Sequence, residues 1–208
     1  MKNYSKIALV LASIALICAA IIASINLLTS GKIKENEANT KASTIEVIYS
    51  DFDKDKSFEQ SKEDLKALGV EADSVESAFV AKDSNDNLIG YVFTVTGKNA
   101  YGTISLMVAV EENVNGELFV HQVEFLTNDQ SYSSTVAEHV KNSYHTIGKK
   151  KAVLNPYSSG EAQVIGDLSE ADINDENTVN VKCGATFGAT LVRTLVLDAL
   201  KAAEKEAI

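Results

Sequence analysis

The sequence predicts an α+β protein: one N-terminal transmembrane helix, then a domain in which helices pack on a small antiparallel sheet. Three observations predict it. An uncharged run extends from Ile7 to Leu28, residues 77 to 126 alternate with a period of two, and helical periodicity returns after Ser134 and after Thr186. The first pattern suits a span through hydrocarbon, the second half-buried strands, the third amphipathic helices.

As a helix rising about 1.5 Å per residue, Ile7 to Leu28 covers roughly 33 Å, enough for a bilayer core of about 30 Å. Its polar members Ser13, Ser24 and Asn26 are short enough to bond to helix carbonyls or sit near the interface. A cleaved signal peptide is the competing assignment. The run is longer than a signal's apolar region, and its small residues Ala20 and Ala23 lie inside it rather than after it, so an uncleaved anchor is preferred. Lipid attachment at Cys18 is disfavoured, because Ala15, Leu16 and Ile17 put no small residue beside the cysteine. Lys2 and Lys6 argue for a cytoplasmic N-terminus, against the weaker pull of Lys32 and Lys34. The expected organisation is residues 1–29 as N-terminus and single-pass anchor, 30–45 as a polar linker or continuation of the helix, and 46–208 as an extracytoplasmic domain.

The net charge is −10, and because the anchor's only charged side chains are Lys2 and Lys6, the rest of the chain carries −12. So acidic a domain repels phosphate backbones, which excludes nucleic acid as a partner. The two cysteines, Cys18 and Cys183, form no disulfide framework, since one sits in the apolar run.

Within the domain, Ser57-Phe-Glu-Gln60 reads as a capping box opening a helix with Phe58, Leu65 and Leu68 inward and Gly69 as its stop. Ser77 to Lys82 and Leu88 to Thr96 flank the turn-rich Asp83–Asn87 and predict a hairpin, with Ile89, Tyr91, Phe93 and Val95 on one face. Thr103 to Glu111 alternates through Ile104, Leu106, Val108 and Val110, and Asn113–Gly116 turns the chain into Glu117 to Leu126. The result is a meander of about four strands. Val136, Val140 and Tyr144 share a helical face, as do Leu191, Val192, Leu195, Val196, Ala199, Leu200 and Ala203. Residues 146 to 180 carry no clear period.

Few motifs carry chemistry. Asp51, Asp53 and Asp55 are spaced like a calcium loop, but Lys56 and Lys62 stand where that loop needs Gly and Glu, so a solvated acidic loop is expected and no metal site. His121 lies in a strand, and His139 and His145 fall on different faces of a helix, a poor spacing for zinc. The informative segment is Asn180-Val-Lys-Cys-Gly-Ala-Thr186, followed by Phe187-Gly-Ala-Thr190 and the last helix. Small residues at a helix N-terminus let a phosphate reach unpaired N–H groups and the positive end of the helix dipole. A tight turn before a helix has the same sequence.

Beyond this segment, the chain resembles the RnfG/NqrC family, the FMN-binding subunits of Rnf and sodium-translocating quinone reductase complexes. The likeness runs from the anchor and Leu27-Leu-Thr-Ser-Gly-Lys-Ile33 through Leu88-Ile-Gly-Tyr-Val92 and Ala100-Tyr-Gly-Thr-Ile-Ser-Leu-Met-Val108. It ends at Cys183-Gly-Ala-Thr186, similar to the family's Ser/Thr-Gly-Ala-Thr site. The resemblance implies FMN esterified through its phosphate to Thr186 by a flavin transferase, with Thr190 as second choice. It implies that Gly184 and Ala185 admit the phosphate, with Cys183 a small buried residue of the same site, and that Tyr101 and Gly102 line the ring.

The function so implied is that of an electron-transfer flavoprotein subunit among other membrane subunits of a redox complex, with no substrate of its own. Two positions depart from the family pattern. Asn180 stands where the transferase motif has Asp, and Leu126-Thr-Asn-Asp-Gln-Ser-Tyr132 replaces the loop that frames the flavin in the family. A flavin-free interaction or scaffold subunit is the alternative those departures leave.

Overall fold

The computed structural model describes residues 2–112, 118–144, 146–147, 150–153, 163–165 and 185–206. By contacts the chain divides into two units, Met1–Ala42 and Ser43–Ile208.

The first unit is helical. Helix α1 runs Lys2–Ile48, so the polar stretch 31–45 continues the helix rather than breaking it, and the last few residues of α1 belong to the second unit. Large apolar side chains from Ile7 to Leu28 are exposed along the helix, which is long and apolar enough to cross a membrane. Ser13 Oγ donates to Leu9 O (2.9 Å), Ser24 Oγ to Ala20 O (2.7 Å) and Thr29 Oγ1 to Ile25 O (2.8 Å). Each hydroxyl is thereby satisfied within its own helix, as a hydrocarbon environment requires.

The second unit has the α+β layout expected. Strands β1 (Phe58–Ser61), β2 (Val75–Lys82), β3 (Leu88–Asn99), β4 (Gly102–Glu112) and β5 (Leu118–Asn128) form an open antiparallel sheet in sequential order. Helices α2 (Lys62–Ala67), α3 (Ser133–Tyr144) and α4 (Thr186–Glu206) accompany it. A separate three-stranded sheet of β6 (Thr146–Ile147), β7 (Lys150–Val153) and β8 (Gln163–Ile165) occupies part of the stretch with no readable period.

The sheet buries both faces. On one, Phe93, Val95, Ile104, Leu106, Val108, Val110, Val120 and Val123 pack with Val136, Val140 and Tyr144 of α3 and with Val192, Leu195, Val196, Ala199, Leu200 and Ala203 of α4. These are the helical faces read from the sequence. On the other, Ile45, Ile48 and Tyr49 cover Ala81, Val92, Met107 and Ala109. Alternating strand residues are therefore apolar on both sides, which a sheet covered on both faces requires.

Two local expectations are corrected. Residues 58–61 are not helical: Phe58 pairs with Val80 and Ser61 with Ser77, adding a fifth, edge strand. The capping box sits at the end of that strand instead, where Asp64 N donates to Ser61 Oγ (3.3 Å) and Ser61 N donates to Asp64 Oδ2 (2.9 Å). Ser57 is drawn elsewhere, donating to Asp53 O (2.7 Å) and accepting from Lys82 N (2.9 Å). Of the three residues expected inward, only Leu65 is buried; Gly69 ends the short helix with φ +91°.

The second correction concerns Ile89, which packs with the face opposite Tyr91, Phe93 and Val95. The pairing jumps from Ala81↔Gly90 to Lys82↔Leu88, so Ile89 is a bulged residue. Leu126 and His121 are skipped in the same way on β5. Each extra residue reverses the alternation locally. Ile89 and Leu126 join the smaller cluster, and His121 stacks on Tyr49 with ring centroids 5.1 Å apart.

Candidate functional site

Three segments meet at one end of the main sheet. The first is the tip of the β3–β4 hairpin, where Tyr101 N donates to Asn99 Oδ1 (2.8 Å) in a side-chain-closed turn. Gly102 follows with φ +141°, and a Cβ there would run into the Asp129 carbonyl. Only glycine permits both the backbone angle and the approach.

The second segment is the loop from β5 to α3, held against the tip by Asp129 N donating to Thr103 O (2.9 Å) and Ser131 N donating to Tyr101 O (3.2 Å). The third is the start of α4, tied to the hairpin by Asn99 Nδ2 donating to Phe187 O (3.2 Å). The first helical bond of α4 runs from Ala189 N to Ala185 O (3.0 Å), which makes Ala185 the cap and Thr186 the first helical residue. Amides preceding Ala189 are those that helix geometry aims out of the N-terminus.

Between these segments lies a cavity of about 320 Å³, in the size range of small-molecule sites. Tyr101 lines it from the hairpin, Gln130, Tyr132 and Val136 from the loop and α3, and Ala185, Thr186, Phe187 and Gly188 from α4. Three aromatic rings stand exposed around it: Phe187 at 66%, Tyr132 at 60% and Tyr101 at 45%. Tyr101 and Phe187 lie 5.4 Å apart, their planes inclined by 32°. Exposed rings grouped at a concavity suit a planar ligand better than water.

The cavity wall has a buried polar residue as well. Gln130 is 7% exposed, and its Nε2 is shut from solvent without a hydrogen-bond partner. None of the described lining side chains is a carboxylate or an ammonium. The positive end of α4 favours an anion there.

The sequence-predicted residues fall as follows. Ala185, Thr186 and Tyr101 line the same cavity. Gly102 is not among the described lining residues; it lets the hairpin meet the loop at Asp129. Thr190, one turn further along α4, is not among the lining residues. Cys183, Gly184 and Asn180 lie outside the described residues. Gly188, read as room for a ligand, instead admits α3: a Cβ there would be 2.5 Å from Val136 Cγ2.

Sequence reasoning missed Gln130, Tyr132 and Phe187. Phe187 was within reach, since it follows Thr186 at the mouth of a predicted helix. Gln130 and Tyr132 belong to the loop that departs from the family pattern, and only the fold shows that this loop still reaches the cavity.

Among the described residues, the other candidates are not gathered into a second site. Asp53 Oδ1 accepts from Asp55 N (2.9 Å) in a local turn, and no cluster of potential metal ligands occurs among the described residues. His121 Nδ1 lies 3.0 Å from Glu111 Oε1. His139 is buried, its ring edge-on to Tyr144 at 6.1 Å, and desolvation pushes its pKa down to about 4. His145 lies outside the described residues.

Residues 1–48 match the family model for the RnfG N-terminal region. That match supports the RnfG/NqrC family. The matched span ends with helix α1 and supports a membrane-anchored subunit of a multisubunit membrane complex. Comparison of the chain with curated proteins gave no match.

Proposed function

We propose that this Rnf-type subunit carries FMN as a phosphoester on Thr186 and passes electrons between membrane partners. The observation that carries the reading is the convergence at the start of α4. A threonine at the first helical position shares one cavity with exposed aromatic rings and a buried glutamine whose Nε2 has no partner.

The residues present suit the group. Thr186 would hold the phosphate at the helix N-terminus, where the dipole offsets its charge. Tyr101, Tyr132 and Phe187 would face the planar ring, and the described lining residues carry no charge that would repel the phosphate. When bound, the isoalloxazine supplies the electron-carrying chemistry, while the protein supplies position and field. A covalent tether keeps such a cofactor on a domain outside the cytoplasm, the side that Lys2 and Lys6 favour by the positive-inside rule. Attachment requires a flavin transferase that accepts Asn180 in place of Asp. The flavin-free scaffold rests on that same substitution and on the altered 126–132 loop.

Coexpression with a flavin transferase, followed by a denaturing gel under ultraviolet light, separates the two. Fluorescence on the wild-type band and none on Thr186→Ala is the expected result. A dark wild-type band beside a labelled control substrate makes the scaffold the better reading.

A further inference from the structure

We propose that Gln130 is the residue that recognises the flavin ring, donating from its side-chain Nε2 to an acceptor on the pyrimidine end of the isoalloxazine. The proposal rests on the FMN reading above and names the directional contact within that site.

Four observations carry it. Gln130 lines the cavity, is 7% exposed, and buries an Nε2 that has no hydrogen-bond partner. An amide desolvated without a partner costs about 1–3 kcal/mol, and an apolar residue of similar volume would fill the space without that penalty. Packing alone therefore does not account for a glutamine here.

Second, its backbone is held by the loop: Gln130 N donates to Asn128 Oδ1 (3.4 Å), and Gln130 O accepts from Ser133 N (3.1 Å). The main chain is anchored, while the terminal side-chain torsion is soft enough to turn the amide toward an occupant.

Third, the carboxamide lies beside the first turn of α4: a Cβ on Gly188 would stand in ordinary contact with Gln130 Oε1, at 3.5 Å. Fourth, among the described polar residues lining the cavity Gln130 is the one that is buried; Tyr101, Tyr132 and Thr186 are exposed.

The chemistry of the occupant follows from the donor. The benzenoid end of an isoalloxazine has no hydrogen-bond acceptor, whereas the pyrimidine end carries two carbonyl oxygens and ring nitrogens. A buried N–H donor selects that end and fixes the ring's orientation relative to Thr186. Because reduction adds electron density at the pyrimidine end, a donor there also favours the reduced form and raises the midpoint potential.

The test uses the full chain in detergent micelles as wild type, Gln130→Leu and Gln130→Glu. Protein made without the transferase is titrated with FMN, and protein made with it is examined for flavin potential and carbonyl stretching frequency. Gln130→Leu is expected to bind FMN about tenfold more weakly, the loss of one net hydrogen bond. Once loaded, it should show a lower midpoint potential and a higher carbonyl frequency.

Without flavin, Gln130→Leu should melt at or above the wild-type temperature, which separates loss of recognition from loss of fold. Gln130→Glu keeps the shape but replaces the donor by an acceptor, and should lower the potential further. Wild-type affinity, potential and carbonyl frequency in a loaded Gln130→Leu protein overturn the assignment of Gln130 alone. A wild type that neither binds FMN nor takes it covalently overturns the flavin reading, and this assignment with it.

Discussion

Gly102 shows how one residue sets the site's shape. Its φ of +141° and the Asp129 carbonyl beside it leave no room for a side chain. Gly102→Ala should destabilise the chain by about 1–3 kcal/mol through backbone strain and overpacking. Urea denaturation in detergent micelles measures the loss, and a midpoint equal to wild type would show that the loop yields at no cost. Gly102, which the resemblance places at the flavin ring, also lets the loop bearing Gln130 come up to Tyr101. Thr186 and Ala185 were legible because small residues before an amphipathic helix mark a cap. Gln130 was not, because an orphaned buried amide is a property of packing and leaves no trace in spacing.

At the scale of elements, the strands and long helices were readable from their periods, and the errors came where long-range pairing overrode local pattern. Ser57-Phe-Glu-Gln60 has the form of a capping box, yet pairing with β2 claims residues 58–61 and moves the cap to Ser61. Bulges at Ile89, His121 and Leu126 turn side chains to the opposite face, a reversal that strict alternation does not foresee.

Helix α3 carries a further consequence. His139 is buried on it with a pKa near 4, against about 6.5 in an unfolded chain. Below pH 6.5 the unfolded state takes up a proton that the folded state refuses. The stability contributed by neutral His139 is therefore complete above that value and is lost as pH falls toward 4. Between pH 7 and pH 5 the loss should be about 2 kcal/mol, and His139→Met should remove this part of the slope. Denaturation midpoints for both proteins across that range give the comparison. Parallel slopes would mean that His139 does not titrate as its burial demands.

For the whole molecule, the apolar run of α1, its exposed side chains and the RnfG N-terminal match agree on a single-pass membrane protein. The full chain should remain with membranes through alkaline carbonate washing and leave only with detergent. Release by carbonate would contradict an uncleaved span. The anchor was the easiest feature to read, because twenty or more apolar residues have few other uses. The cavity was the hardest, since it depends on three segments separated by up to 87 positions in the chain, from Tyr101 to Gly188.

Covalent attachment at Thr186 is the claim on which the electron-transfer function depends. The most direct measurement is peptide mass spectrometry of the chain purified after coexpression with a flavin transferase. The account predicts an FMN phosphoester on the peptide containing Thr186, with fragmentation placing it on that residue and none on Thr190. An unmodified Thr186 peptide, recovered while a control substrate is fully flavinylated, would contradict it.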